Sequence, residues 1–132
     1  MKILVVHNLA LMRAGLRNVV AELGQQVTAL EAADGTAALN AAERNLDLDL
    51  VLLDITLPDM HGLGLLDTLH ERHPTVPLVL VSARDDDHTA VIEALKHGAS
   101  GYIPRAASKA DMVAALREVL AGAAAVPRPR KH

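Results

Sequence analysis

The stretch that decides the fold is Val51-Leu52-Leu53-Asp54-Ile55-Thr56-Leu57-Pro58-Asp59, in which aliphatic residues run directly into one carboxylate. An uninterrupted apolar run of this kind is typical of a strand buried on both faces of a parallel sheet. A carboxylate at its carboxyl end would emerge in the crevice where open α/β sheets bind their ligands. Taken alone, Asp54 is equally well interpreted as a turn or capping aspartate, so its meaning depends on the rest of the chain.

The composition indicates one domain with an aliphatic core. The chain has 132 residues, of which 51% are hydrophobic, yet it has no Phe, no Trp, no Cys and a single Tyr. A chain of this length typically forms one domain, and without cysteine it has neither disulfides nor zinc–thiolate sites. No apolar run approaches the ~20 residues of a membrane span, so we expect a soluble, cytoplasmic protein. The net charge of −3 gives no electrostatic reason for this domain to bind nucleic acid by itself.

Strand-like and helix-like segments alternate five times, with short connections. The predicted strands are Lys2 to Val6, Val27 to Ala32, Leu50 to Asp54, Leu78 to Ser82 and Gly101 to Pro104. The predicted helices run from the candidate N-cap Asn8 to Gly24, from Gly35 to Arg44, from Gly62 to Arg72, from the acidic turn Asp85-Asp86-Asp87 to His97, and from a capping box at Ser108 and Asp111 to a C-cap at Gly122. This order predicts an α/β fold with a doubly wound parallel sheet covered by helices on both faces. We expect the domain to occupy residues 1–123 and the basic, proline-containing segment 124–132 to begin a linker.

The carboxyl ends of four predicted strands bring polar residues to one crevice. His7 and Asn8 follow the first strand, Asp54 ends the third, Ser82 ends the fourth and Arg105 follows the fifth. An acid, a hydroxyl and a cation from separate segments suit a phosphoryl group. The carboxylate would attack phosphorus, the cation would neutralise its oxygens, and the hydroxyl would donate a hydrogen bond.

Four motifs, with their spacing, resemble the receiver domain of a two-component response regulator over nearly the whole chain. They are Ile3-Leu4-Val5-Val6, Leu52-Leu53-Asp54-Ile55 with Pro58 and Gly62, Val81-Ser82-Ala83, and Gly98-Ala99-Ser100-Gly101-Tyr102-Ile103-Pro104. The segments Met12-Arg13-Ala14-Gly15-Leu16-Arg17 and Gly101-Tyr102-Ile103-Pro104 further resemble the subfamily that carries a C-terminal LuxR/NarL-type helix-turn-helix. The resemblance implies a flavodoxin-like, CheY-like sheet of five strands in the order 2-1-3-4-5.

The same resemblance implies roles for single residues. Asp54 would be the phosphoacceptor, Ser82 the switch hydroxyl and Tyr102 the aromatic residue that turns inward on activation. Receivers hold Mg²⁺ with an acidic pair after the first strand, the acceptor aspartate and a main-chain carbonyl, here that of Thr56. The implied partners are a sensor histidine kinase or other phosphodonor, a second copy in a homodimer, and DNA through a C-terminal domain beyond this chain; no membrane partner is implied.

This chain departs from the receiver pattern at the metal and cation positions. It has His7-Asn8 in place of the acidic pair and Arg105 in place of the usual lysine. With His7 neutral, the charges of Asp54 and Arg105 sum to zero. At an effective dielectric near 20, a carboxylate ~4 Å from a cation attracts it by roughly 4 kcal/mol per unit of cation charge, and each lost acid removes that gross attraction. Since Asn8 offers only a neutral carbonyl, we predict that Mg²⁺ binds weakly or not at all. Arg105 could instead pair with Asp54 bidentately, which would make phosphorylation slow or absent.

Several alternatives remain open from the sequence. The chain could be a conventional phospho-accepting receiver, or a stand-alone interaction module that never uses the pocket. A hydrolase of the haloacid dehalogenase type is disfavoured because Thr56 stands where that chemistry wants a second aspartate, so we do not expect an enzyme. His7 beside Asp54 could have a raised pKa and sense pH, or it could be a neutral side chain filling the space of the lost acid. A transition metal on His7 and Asp54 would have too few ligands.

Overall fold

Five strands and five helices alternate within residues 1–54, 59, 62–82 and 88–122, which are the residues that the computed structural model describes. The elements are β1 (Lys2–Val6), α1 (Ala10–Ala21), β2 (Thr28–Ala32), α2 (Gly35–Arg44), β3 (Leu50–Asp54), α3 (Gly62–Arg72), β4 (Leu78–Ser82), α4 (His88–Lys96), β5 (Gly101–Pro104) and α5 (Lys109–Leu120). The strand bounds predicted from hydrophobic runs agree with the structure for β1, β3, β4 and β5, while β2 begins one residue later than predicted.

The five strands form one parallel sheet in the order β2-β1-β3-β4-β5, which confirms the predicted fold class and strand order. Val6 pairs with Leu53, and Asp54 pairs with Val81. The carboxyl ends of β1, β3 and β4 therefore meet at one edge of the sheet. All five residues of β3 are buried because helices cover both faces of the central strand.

Each face of the sheet carries its own aliphatic cluster. Along β3, Val51 and Leu53 belong to the cluster packed against α2, α3 and α4, while Leu50 and Leu52 belong to the one packed against α1 and α5. This alternation follows from the two-residue period of a strand. Within the described ranges, no helix combines the length and the apolar character needed to cross a bilayer.

The first helix begins one residue later than predicted. The N-cap position of α1 is Leu9, not Asn8, and no side chain caps the helix there. Instead, the Leu9 N–H donates to His7 Nδ1 at 3.0 Å. The helix also ends at Ala21, before the predicted stop at Gly24, with Glu22 as its C-cap.

The predicted ends of the last helix agree better with the structure. Ser108 is the N-cap of α5, and its Oγ accepts from the Asp111 N–H at 3.1 Å. The C-cap is Ala121, and Gly122 follows it with a φ of 91°, so this glycine occupies the position after the cap.

A left-handed glycine ends α4. Gly98 has a φ of 98°, its N–H donates to Leu95 O at 3.2 Å, and the Ala99 N–H donates to Ala94 O at 3.0 Å. These two bonds form a Schellman motif, which satisfies carbonyls that the helix would otherwise leave without donors. A Cβ added at Gly98 would lie 2.5 Å from His70 Cγ, so both the backbone and the space around it require glycine.

We expect Gly98→Ala to destabilise the domain by about 2–4 kcal/mol, because the left-handed backbone penalises a Cβ and α3 has no room for one. Urea unfolding followed by circular dichroism measures the change. Gly64→Ala in α3 is the matched control: its added Cβ meets nothing within 4 Å, and we expect stabilisation by about 0.5–1 kcal/mol. A Gly98→Ala protein as stable as the parent would contradict this account of the α4 terminus.

Candidate functional site

A fully buried carboxylate ends the central strand. Asp54 is 0% exposed, and the Nη2 of Arg105 donates a hydrogen bond to its Oδ2. The same oxygen lies 3.2 Å from Nε2 of His7. The ends of β1, β3 and β5 thus bring together three of the predicted site residues, in a cluster centred on one carboxylate oxygen.

The orientation of His7 is set by the turn that follows β1. Its side chain is buried, and its Nδ1 accepts from the Leu9 N–H. A ring nitrogen that accepts carries no proton, so the neutral ring holds its proton on Nε2, the nitrogen facing Asp54. Nε2 has no hydrogen-bond partner of good geometry among the described residues.

Burial lowers the pKa of His7 below its ordinary value of 6.5. The charge of Asp54 opposes this shift, while the charges of Arg105 and Arg13 add to it. The alternative in which a raised pKa makes His7 a sensor of pH near neutrality is therefore wrong in direction. The structure favours the other alternative, a neutral imidazole occupying the place of an acid.

The site carries no net charge in its resting form, since Asp54 and Arg105 cancel and His7 is neutral. An ion pair with a buried member offsets the desolvation of its charges only while both partners are present. Removing Arg105 alone would leave the Asp54 carboxylate buried beside a neutral histidine.

The residues at this site fit Mg²⁺ poorly. Asp54 is the single carboxylate of the cluster, and its Oδ2 already accepts from Arg105. His7 presents nitrogen where Mg²⁺ prefers oxygen, and Asn8 is exposed with only a neutral amide to offer. Thr56, the predicted main-chain ligand, lies outside the described residues. Where the chain is described, no group of three or more His, Asp or Glu side chains is placed to hold a metal ion.

Ser82 and Tyr102 lie on the two strands beyond β3. Ser82 ends β4 and pairs in register with Pro104, so its main chain is at the same edge as Asp54. Tyr102 is 1% exposed and packs in the cluster on the α2, α3 and α4 side of the sheet. The predicted switch aromatic therefore points inward. Ala83 and the acidic turn Asp85-Asp86-Asp87 lie outside the described residues.

Arg13 supports the site from α1, a role that sequence motifs did not predict. Its Nη1 donates to His7 O at 2.7 Å, and its Nε donates to Glu31 Oε1 at 3.0 Å. Arg13 thus ties the turn after β1 to strand β2. The residue could be found only from the fold, because Glu31 is 18 residues away in the chain.

Asp59 also has a structural role that was not predicted from the sequence. Its Oδ1 accepts from the Gly35 N–H at 2.8 Å, and its Oδ2 accepts from the Thr36 N–H at 2.9 Å and from Thr36 Oγ1 at 2.8 Å. The two main-chain hydrogen bonds hold the pKa of Asp59 below its usual value. A carboxylate at a helix N-terminus is favourable, so Asp59 stabilises the start of α2.

Comparison with known proteins identifies the family. Residues 3–117 match the family described as response regulator receiver domain. The chain is 36% identical over 126 residues to the glycerol metabolism activator of Pseudomonas putida, covering 96% of this chain and 57% of that protein. It is 32% identical over 120 residues to the nitrate/nitrite response regulator protein NarL of Escherichia coli, covering 91% of this chain and 55% of that protein.

A solved structure agrees with the sequence relatives. The two-component response regulator of the LuxR family from Aurantimonas sp. SI85-9A1 superposes with a TM-score of 0.85 at 26% identity, covering 94% of this chain and 87% of that one. The chain spans little more than half the length of the two curated relatives. Receivers of this family typically bind Mg²⁺ at an acidic pocket and interact with phosphodonors such as histidine kinases and with output domains. By sequence and by fold, the chain belongs to the receiver domains of two-component response regulators.

Proposed function

We propose that this receiver neutralises its acceptor aspartate with its own arginine in place of a metal ion. The observation that carries the proposal is the hydrogen bond from Arg105 Nη2 to Oδ2 of the fully buried Asp54. A guanidinium is always charged and matches the geometry of a carboxylate, whereas the lysine of other receivers is a point charge. Asp54, Ser82, Arg105 and Tyr102 keep the acceptor, switch, cation and aromatic positions in this proposal.

Weak or absent Mg²⁺ binding follows from the same contact. An arriving Mg²⁺ would have to displace Arg105 from Oδ2 and would gain one carboxylate, with Asn8 and the Thr56 carbonyl as neutral ligands. At an effective dielectric near 20, a fixed positive charge ~4 Å from the ion opposes it by roughly 4 kcal/mol per unit of ion charge. The Arg105 guanidinium thus takes over the charge compensation that the metal supplies in other receivers.

Slow or absent phosphorylation is the second consequence. The charge-assisted hydrogen bond from Arg105 to Oδ2 withdraws charge from the whole carboxylate and lowers the nucleophilicity of both of its oxygens. Without Mg²⁺, the oxygens of an incoming phosphoryl group also lack the cation that would stabilise their charge in the transition state.

The inward position of Tyr102 supports signalling from a fixed conformation. The resemblance to receivers implies that this aromatic residue turns inward on activation. In this chain Tyr102 is 1% exposed while Arg105 is hydrogen-bonded to Asp54. We infer that neutralisation of the pocket by Arg105 and the inward position of Tyr102 occur together even when Asp54 carries no phosphoryl group. The output would then respond to the abundance of the protein or to another input.

The proposal extends to the whole protein. Residues 1–123 would be the receiver and residues 124–132 the start of a linker to a DNA-binding output domain, since the matched relatives are nearly twice as long and include a nitrate/nitrite response regulator. Such a protein would act in the cytoplasm as a homodimer that controls transcription, not as a turnover enzyme. A histidine kinase or other phosphodonor remains its partner only if Asp54 reacts.

Restoring the usual pocket should restore phosphorylation. We expect the parent chain, incubated with acetyl phosphate and Mg²⁺, to gain little or no phosphoryl group by intact mass spectrometry. The triple variant His7→Asp, Asn8→Asp, Arg105→Lys should gain one group at least about tenfold faster, because even ~1.4 kcal/mol of recovered stabilisation suffices for that factor.

Adding Asp54→Asn to the triple variant is the control, and it should abolish the gain. Ready phosphorylation of the parent chain, lost on Asp54→Asn alone, would contradict the proposal and identify a conventional phospho-accepting receiver.

The lowered pKa of His7 predicts a pH-dependent stability. As pH falls through 6.5, the unfolded chain protonates His7 while the folded chain does not, so the free energy of unfolding decreases below that pH. Above 6.5 His7 is neutral in both states and contributes no slope. We expect the melting temperature to fall more steeply from about pH 7.5 to about pH 5.5 in the parent than in His7→Asn, which keeps an acceptor for the Leu9 N–H.

Equal slopes for the parent and His7→Asn would show that the buried imidazole is not held neutral by the fold.

A further inference from the structure

An apolar cavity of about 250 Å³ opens beside the acceptor site, between α1 and the start of α5. Its walls include Met12, Leu16 and Val19 of α1, Val81 of β4 and Met112 of α5. The volume lies just below the ~300–1,000 Å³ of typical small-molecule pockets, so a ligand would have to be small. The cavity is separate from the acceptor oxygen, but it reaches the residues that surround it.

The polar residues at this cavity are basic. Arg105, Lys109 and His7 line it, and no Asp or Glu is among its described lining residues. The Lys109 ammonium lies 3.7 Å from Glu22, but both side chains are more than half exposed, so this ion pair is weak and leaves the ammonium available. Two permanent cations at the end of an apolar cavity complement a ligand with an apolar body and one anionic group.

Arg105 also has donors beyond the one that contacts Asp54. Its Nη2 donates to Asp54, while its side chain is about one-third exposed and lines the cavity. A guanidinium offers five N–H donors in one plane. A ligand carboxylate in the cavity could therefore accept from an exposed N–H of Arg105 while Nη2 stays on Asp54.

We propose that this cavity binds a small monocarboxylate with an apolar body, whose carboxylate pairs with Arg105 and Lys109. The ligand would lie against α1 and α5 and fix the guanidinium that also contacts Asp54. Its binding would thereby be coupled to the state of the acceptor pocket. The inference goes beyond the receiver function and does not depend on whether Asp54 is phosphorylated.

A glycine pair provides matched variants for the test. Gly15 lines the cavity, and Gly64 lies in α3, away from it. A Cβ added at either position meets nothing within 4 Å, so a larger side chain can be accommodated at both. Gly15→Leu should fill the cavity, whereas Gly64→Leu should leave it open, and each replaces a helical glycine by a better helix former.

The experiment is a titration of the whole isotope-labelled chain with 3-phenylpropionate, followed by amide chemical shifts in the absence of any phosphoryl donor. We expect saturable shifts that cluster on α1 and the first turn of α5. Uncharged 3-phenylpropanol should bind at least about tenfold more weakly, and Lys109→Gln, which leaves the ion pair of Asp54 and Arg105 intact, should weaken the binding of 3-phenylpropionate by about threefold. Gly15→Leu should abolish the shifts, and Gly64→Leu should not.

Four results would overturn the proposal. The first is the absence of saturable shifts in the parent chain, and the second is binding that persists unchanged in Gly15→Leu. The third is equal binding of the alcohol and the carboxylate. The fourth is self-association of the parent chain that Gly15→Leu disrupts, without 3-phenylpropionate binding, because the cavity would then be a contact between two copies.

Discussion

The ion pair between Asp54 and Arg105 joins the ends of β3 and β5, and the chemistry of this receiver depends on it. A carboxylate that is 0% exposed at the end of a central strand needs a compensating positive charge. Receivers of this family typically bind Mg²⁺ at an acidic pocket, and we propose that in this chain the Arg105 guanidinium supplies the compensating charge instead. The replacement of two acids by His7 and Asn8 is consistent with that arrangement, because further carboxylates would again demand a cation.

Much of the fold could be predicted because its signals are local. The run from Val51 to Asp54 is buried on both faces, and strand order and most element bounds agree with prediction. The predicted N-cap at Asn8 is wrong because the helix begins one residue later, with Leu9 at the N-cap position and without a capping side chain. The Leu9 N–H donates to His7 Nδ1, a contact with the preceding strand end that helix capping rules do not predict.

The proximity of Asp54 and Arg105 could be predicted from the sequence, but the direction of the His7 pKa shift could not. That Asp54 and Arg105 share one crevice follows from parallel topology, and the structure brings them into contact. The direction of the His7 pKa shift was not predictable, because it depends on burial outweighing one nearby negative charge. Arg13 and Asp59 act through partners far away in sequence, so no spacing rule could have found them. The cavity beside α1 is likewise a property of packing, in a chain that has no Phe or Trp to fill such space.

A crystal structure near neutral pH, grown with Mg²⁺ and beryllofluoride supplied, would show whether Arg105 or a metal ion neutralises Asp54, since beryllofluoride mimics a phosphoryl group on the acceptor. We expect electron density for Arg105 bonded to an unmodified Asp54, with no ion between them. An octahedral Mg²⁺ bound to Asp54, with beryllofluoride on its other oxygen and Arg105 displaced, would contradict this expectation.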